Sequence, residues 1–373
     1  MQDKSTSDTD RSEDIAFGSN SIRLSGWEWI AVAVIFLSFF SFGPALWGRL
    51  GEIKSGPDYR LPYRLGGDYW LYSRLCRRAC SQYETVLLGD SVIWGHYVPR
   101  DGTLSHFLNE NAGRDQFATL GVDGFHPAAL WGLVRFYGQD IANKKVILHL
   151  NPLWMSGEKQ DLQTEKEFRF QHPRLVPQFR PRIPCYKESW SERMSIAVGR
   201  RVGFLDWTSH LRIAYFENMD FPAWTIEYPY ENPLKEVTGG LATTEEDDPR
   251  DRRSWIERQT AKQDLRWVEL ETSLQWKLFR QTLELLQERG NTVFVLVGPF
   301  NEHMLQAASA DVYGRMKKAI EAWLRENSIP YFVPDALPSE FYSDASHPLA
   351  EGYALLAQQL FENESFRANI LGD

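Results

Sequence analysis

The run Thr85-Val-Leu-Leu-Gly-Asp-Ser-Val-Ile-Trp-Gly95 constrains the fold more than any other stretch, because it joins a buried strand to a helix through a sharp turn. Thr85, Val86, Leu87 and Leu88 form a short, nearly continuous apolar run, the pattern of a strand covered on both faces in a parallel sheet. Gly89 lets the backbone turn and lets a ligand approach, and Asp90 or Ser91 can cap the helix that follows. A serine at this point has its own N–H at the positive end of a helix, where developing negative charge is stabilised. Taken alone, Gly-Asp-Ser reads equally well as an ordinary N-cap turn.

The alternation of strand and helix recurs along the chain. Gln116 to Leu120 reads as a second strand ending in Gly121-Val-Asp-Gly124, with a helix from Pro127 to Tyr137 behind it. Lys145 to Asn151 is a third strand, and Thr292 to Val297 a fourth. A long amphipathic helix precedes the fourth, with Trp267, Leu270, Leu274, Leu278 and Leu285 on one face and Gly290 as its stop. Ile329 to Val333 is a weaker fifth strand after a helix over Asp311 to Glu326, and Ala350 to Phe361 is the last helix. This order predicts an α/β fold: a doubly wound, flavodoxin-like parallel sheet of about five strands whose ligands bind at the carboxyl ends of the strands. Ser91, Gly124 and Asn151 all fall at those ends.

Residues 156–262 interrupt the pattern and read as a large insertion, a lid or substrate platform. Within it, Glu245 to Asp248 reads as a solvated loop. Arg169, Arg174, Arg180 and Arg182 lie near prolines on an extended arm, read as a solvated surface in preference to a site for an anionic polymer. Ahead of the sheet, residues 1–26 are a polar tail expected to be disordered, 27–48 a transmembrane helix flanked by tryptophans, and 49–80 a juxtamembrane linker. The α/β domain then covers 81–373. A signal peptide is the competing reading of 27–48, but Pro44 directly after Ser41-Phe42-Gly43 disfavours cleavage, so an uncleaved single-pass anchor is expected. Arg49, Lys54, Arg60 and Arg64 after the span, against Lys4, Arg11 and Arg23 before it, weakly favour a cytoplasmic C-terminus.

A net charge of -9 excludes a general nucleic-acid binder. Three cysteines exclude a disulfide framework, and Cys76, Cys80 and Cys185 lack the second tight pair that a zinc site requires. No metal or cofactor is expected.

Near the C-terminus, Asp344-Ala-Ser-His347 sits on a turn before the last helix. An aspartate three residues before a histidine can bond one ring nitrogen and leave the other free to accept a proton. A capping aspartate beside a surface histidine accounts for the segment equally well.

Gly89-Asp90-Ser91 with Gly95, then Gly124, Asn151 and Asp344-x-x-His347, occur in the order and contexts of the SGNH (GDSL-like) hydrolase superfamily, which residues 83–362 outside the insertion resemble. The resemblance implies Ser91 as nucleophile, His347 as base and Asp344 as its orienting partner. It implies an oxyanion hole from the Ser91 and Gly124 N–H groups and the Asn151 side chain. Two departures stand out. His149-Leu-Asn-Pro152 replaces the usual Gly-x-Asn-Asp, and Gly121 competes with Gly124 for the glycine of the second motif. His149, inside an apolar strand, reads as a buried, satisfied histidine; Trp94, Trp131 and Trp154 as core, or as lining of an acyl or sugar pocket; and His96, Asn301 and His303 as weaker cleft candidates.

The expected activity is ester cleavage through an acyl-serine on O-acyl esters of carbohydrate. The alternatives are an O-acyltransferase using the same serine and a catalytically silent, membrane-tethered binding domain. The architecture resembles superfamily members that handle O-acyl groups on cell-surface polymers, some with a membrane acyltransferase partner, which implies an extracytoplasmic catalytic domain. The polar, aromatic insertion, with Trp190, Trp207 and Trp224 available for stacking, favours a sugar over a lipid as the alcohol.

Overall fold

The computed structural model describes residues 24–50, 56–238 and 252–372. The tail up to residue 23 and the acidic run 245–248 lie outside the described residues. The chain divides into two compact units, Met1–Leu50 and Gly51–Asp373.

Among the described residues of the first unit there is one helix, α1 (Gly26–Leu50). Its segment Gly26–Arg49 contains an 18-residue window with a mean hydropathy of 2.1 and is long and apolar enough to cross a membrane. At 1.5 Å per residue it measures about 36 Å, more than the roughly 30 Å of a hydrocarbon core.

The second unit is α/β. In chain order it runs α2 (Tyr69–Gln82), β1 (Thr85–Leu88), α3 (Ser91–Trp94), α4 (Leu104–Ala112), β2 (Phe117–Thr119), α5 (Pro127–Phe136) and β3 (Lys145–Leu150). The insertion then carries α6 (Trp190–Gly199), α7 (Gly203–Tyr215), α8 (Phe221–Glu227) and α9 (Pro233–Thr238). The chain returns through α10 (Leu274–Glu288), β4 (Thr292–Val297), α11 (Ala307–Glu326), β5 (Tyr331–Phe332), α12 (Ala350–Glu362) and α13 (Glu364–Phe366).

All five strands are parallel, in the order β2-β1-β3-β4-β5. Because side chains alternate across a strand, successive residues feed two cores. Val86, Leu88, Val146, Leu148, Val293 and Val295 join residues of α2, α5, α10 and α11 on one face. Leu87, Ile147, Phe294 and Leu296 join residues of α4 and α12 on the other. Burial on both faces is why these strands read as unbroken apolar runs rather than alternating ones.

Three segments differ from expectation, each for a packing reason. Tyr59, Leu61, Leu65, Leu71, Tyr72 and Leu75, in the stretch expected to be a linker, are buried in the larger core, so residues from about 59 onward belong to the α/β unit. The helix before β4 starts at Leu274, after Trp267 and Leu270, because Ser273 caps it by accepting from Trp276 N. Asp161 of the insertion fixes that start by accepting from the N–H groups of Leu274 and Gln275. Trp267 and Leu270 still bury in the same core, from an irregular segment. Of the three tryptophans expected to stack on sugars, Trp190 is 70% exposed, whereas Trp207 and Trp224 are 5% and 3% exposed. Only Trp190 is open to a ligand.

The insertion is packed onto the sheet layer. Trp154, Leu162, Phe168, Val176, Ile183 and Tyr186 form a small core with Ala128 of α5 and Leu278 of α10. At its edge, a Cβ placed on Gly132 of α5 would lie 2.0 Å from the carbonyl oxygen of Leu175. Gly132→Ala therefore forces two backbones apart, and we expect a loss of about 1–3 kcal/mol. A Cβ on Gly314 of α11 meets nothing within 4 Å. Gly314→Ala is expected to gain up to about 1 kcal/mol from helix propensity alone. Thermal unfolding of the full chain in detergent checks the pair: Tm should move down for the first and up for the second, and a neutral Gly132→Ala would contradict the close approach.

Candidate active site

Ser91 is the first residue of α3, directly after the turn that ends β1. Asp90 caps the helix through a hydrogen bond from Val92 N to its Oδ1, at 3.0 Å. Gly89 has no room for a side chain: a Cβ there would lie 2.5 Å from Ile93 Cγ1 and 2.8 Å from His149 Cβ. The turn is thereby pressed against β3 and α3, and Ser91 is left 7% exposed at the sheet's carboxyl edge.

His347 comes from the far end of the chain. Its Nε2 lies 2.7 Å from Ser91 Oγ, and its Nδ1 lies 2.8 and 2.9 Å from the two carboxylate oxygens of Asp344. The Asp344 carboxylate also accepts from the N–H groups of Ser346 and His347 at 2.9 and 3.0 Å, which folds the turn around it. Asn301 secures the same turn from β4's end by donating Nδ2–H to the Asp344 carbonyl, while its N–H donates to Ala345 O. With Nδ1–H donating to Asp344, Nε2 is unprotonated and accepts the Ser91 hydroxyl proton.

Electrostatics follow from this packing. Burial alone would lower the pKa of His347, but Asp344, by charge and hydrogen bond, with Asp90 and Asp123 in support, outweighs it and raises the pKa above 6.5. Burial would raise Asp344, but the charge of His347, its hydrogen bond and the two backbone N–H groups hold the carboxyl below 3.8. The Asp344 side chain keeps 32% of its surface exposed, so water screens part of the coupling.

Asp90 is the hub beneath the serine, a role the sequence left unassigned. Its Oδ2 accepts from Asn151 Nδ2 at 2.7 Å and from Trp154 Nε1 at 2.8 Å. His149, with a side chain that is 0% exposed, brings Nδ1 to 3.3 Å from Asp90 Oδ1. Neither ring nitrogen has a hydrogen bond of good geometry, so His149 is buried as expected but not satisfied as expected. Burial would raise the pKa of Asp90, yet the His149 contact, the Val92 N–H and the charge of His347 lower it overall, so the group is a carboxylate.

Asn151 is oriented at both ends, since its Oδ1 accepts from Leu153 N at 3.0 Å. One amide hydrogen goes to Asp90 and the second is uncommitted. Among the described residues, the N–H groups of Ser91 and Gly124 donate to no protein acceptor. The Gly121 N–H, by contrast, donates to Thr119 Oγ1, and a Cβ at Gly121 would lie 2.6 Å from Trp94 N. Gly121 therefore serves the packing of α3, and Gly124, at φ +76°, is the glycine with a free donor.

The insertion reaches this glycine. His172 is held neutral, its pKa pushed down to about 4 by burial, so its Nε2–H donates to the Gly124 carbonyl at 3.0 Å. Phe170 lies against Gly124, and His126 donates Nε2–H to the Phe170 carbonyl at 2.9 Å. Burial, helped by the neighbouring His172, pushes His126 down to about 3. Its unprotonated Nδ1 caps α5 by accepting from Ala129 N.

A second histidine faces the first. The His96 and His347 rings are 5.0 Å apart, and His96 Nδ1 lies 2.8 Å from Asp123 Oδ1. Tyr97 meets His347 edge-on at 5.4 Å, and Arg258 lies 5.6 Å over the Tyr97 ring while donating to Ser343 Oγ. Of the remaining residues singled out, Trp94 is buried and donates to the Leu61 carbonyl, Trp131 packs against Arg135, and His303 bonds the Leu337 carbonyl at 3.0 Å. Among the described residues no group of acidic, histidine and cysteine side chains could hold a metal ion. His96 and Trp154, both singled out in the sequence, are brought to the site; nothing in the sequence pairs Arg258 with it.

Comparison of the chain with protein-family models and with curated proteins finds no match.

The charge arrangement has a sign that can be measured. A raised His347 pKa contributes stability in full below about 6.5, lost as pH rises through the folded value; a depressed Asp344 pKa contributes stability above about 3.9, lost as pH falls. An NMR titration of the His347 ring should have its midpoint above 6.5, and Asp344→Asn should bring it down. A midpoint that stays put in Asp344→Asn would contradict the assignment of Asp344 as the main source of the shift.

Proposed function

We propose that the chain is a serine esterase of the SGNH type, acting on O-acyl esters of carbohydrate through an acyl-serine at Ser91. The observation that carries the reading is the continuous line from Ser91 Oγ to His347 Nε2 at 2.7 Å and from His347 Nδ1 to Asp344 at 2.8 Å. Support also comes from the fold: strand order β2-β1-β3-β4-β5 with helices against both faces fits a doubly wound, flavodoxin-like sheet, and such sheets bind ligands at their carboxyl ends.

In the reaction, Oγ forms a bond to the ester carbonyl carbon as His347 Nε2 takes the hydroxyl proton. The carbonyl oxygen becomes an oxyanion and accepts from the free N–H groups of Ser91 and Gly124 and the second amide hydrogen of Asn151. Each fixed donor contributes about 3–4 kcal/mol where charge develops. Collapse of the intermediate breaks the bond to the alcohol, which leaves with the proton from His347. Water then attacks the acyl-serine by the same route in reverse; a sugar hydroxyl held in its place would make the step a transfer. Asp344 keeps the imidazole in the working tautomer and stabilises the imidazolium.

The carbohydrate assignment rests on the surroundings of the site, where an aromatic and polar insertion abuts the Gly124 turn instead of a broad apolar surface. Helix α1 fits a single-pass anchor; a catalytic unit outside the cytoplasm and a membrane acyltransferase partner follow from the family resemblance, against the flanking charge.

A fluorophosphonate probe tests the nucleophile. The wild-type chain should be labelled at Ser91, and Ser91→Ala should lose both labelling and at least about 10³-fold of kcat on a small acetyl ester. Undiminished labelling of Ser91→Ala would sink the proposal.

A further inference from the structure

Residues 158–187, at the start of the insertion, carry seven basic side chains against four acidic ones in a chain whose net charge is -9. Part of this charge is spent on the fold. Arg174 is bound to Asp206, Ser209 and Tyr137. Lys159 and Arg169 are different: both are exposed, and among the described residues neither side chain makes a hydrogen bond or an ion pair. They share an open groove of about 490 Å³ with Phe168 and His172. The single acidic group lining it, Glu167, already accepts from Gln171 at 3.3 Å.

This groove is joined to the candidate site by two contacts. His172 on its wall donates to the carbonyl of Gly124, whose N–H faces no protein acceptor. Phe168 packs edge-on against Trp154, 6.2 Å between ring centroids, and the Trp154 indole bonds Asp90, the neighbour of the nucleophile. The Arg169 guanidinium also lies 5.6 Å from the Phe170 ring, which rests on Gly124. The two cations thus sit on the segment whose His172 and Phe170 hold the Gly124 turn.

Building on the esterase reading, we propose that the groove binds the alcohol portion of the substrate and selects an alcohol that carries an anion, the chemistry of an acidic sugar residue. Lys159 and Arg169 pair with the sugar carboxylate, beside the neutral His172 on the groove wall. Because both cations are exposed, the preference is screened by salt.

The test measures binding, which does not require a reactive serine. Calorimetric titration of the full-length chain in detergent with trigalacturonate should give an affinity at least about tenfold above that for maltotriose, the neutral probe, and the gap should shrink as salt rises from about 0.02 to 0.5 M. Lys159→Gln combined with Arg169→Gln should reduce trigalacturonate binding to the neutral level. Lys166→Gln, on the same basic stretch but outside the groove, should leave it unchanged, and all variants should keep the wild-type Tm. Equal affinity for the two sugars, binding of neither, or an unchanged affinity in the double variant overturns the proposal. Fluorophosphonate labelling run in parallel separates the two readings: labelling with no selective binding sinks the groove alone, and selective binding without labelling sinks the esterase while the anion-selective groove stands.

Discussion

The buried carboxylate of Asp90 is the interaction on which the site depends. It caps the serine helix through Val92 N, accepts from Asn151 at the end of β3 and accepts from the Trp154 indole just ahead of the insertion. The serine helix and the segment Asn151 to Trp154, 61 to 64 residues away, are thus tied to one group placed next to Ser91. A buried charge persists only when its lone pairs are occupied, and here four polar groups surround it, His149 included. Removing the charge would free Asn151 to turn away from the position an oxyanion would take, so the carboxylate acts on the site without touching the reacting atoms.

Around that hub the structure uses neutral histidines as rigid connectors. His126 caps α5 with one nitrogen and holds the Phe170 carbonyl with the other, and His172 holds the Gly124 carbonyl. Burial keeps both uncharged, which fixes which nitrogen donates. The insertion is therefore a wall of the site, packed through Gly132 and the cluster of Trp154, Phe168 and Tyr186. His347 is the opposite case, a histidine whose carboxylate neighbours overcome burial and draw it toward the charged form.

Much of this was legible in the chain, and the parts that were share a cause. Strands buried on both faces produce unbroken apolar runs, so Thr85–Leu88, Lys145–Leu150 and Thr292–Val297 could be read directly. Asp344 and His347 are three residues apart on one turn, so their contact is a local property. What could not be read is long-range. Asp90 meets partners 61 and 64 residues away, and Arg258 reaches Ser343 across 85. Trp267 and Leu270 kept helical spacing yet bury from an irregular segment, because Ser273 and Asp161 set the start of α10 further on. The tryptophans of the insertion carried no signal separating the buried Trp207 and Trp224 from the exposed Trp190, since an aromatic ring suits a core and a sugar-facing surface equally.

The central claim is that Ser91 forms a covalent acyl intermediate with His347 as its base. Acid quenching during turnover of an activated acetyl ester, followed by mass spectrometry of the peptide that contains Ser91, tests it most directly. The account predicts that Ser91 carries one acetyl group in the wild-type chain and none in His347→Ala. A fully turning-over enzyme with an unmodified Ser91 peptide and an acetyl group on another residue would contradict it.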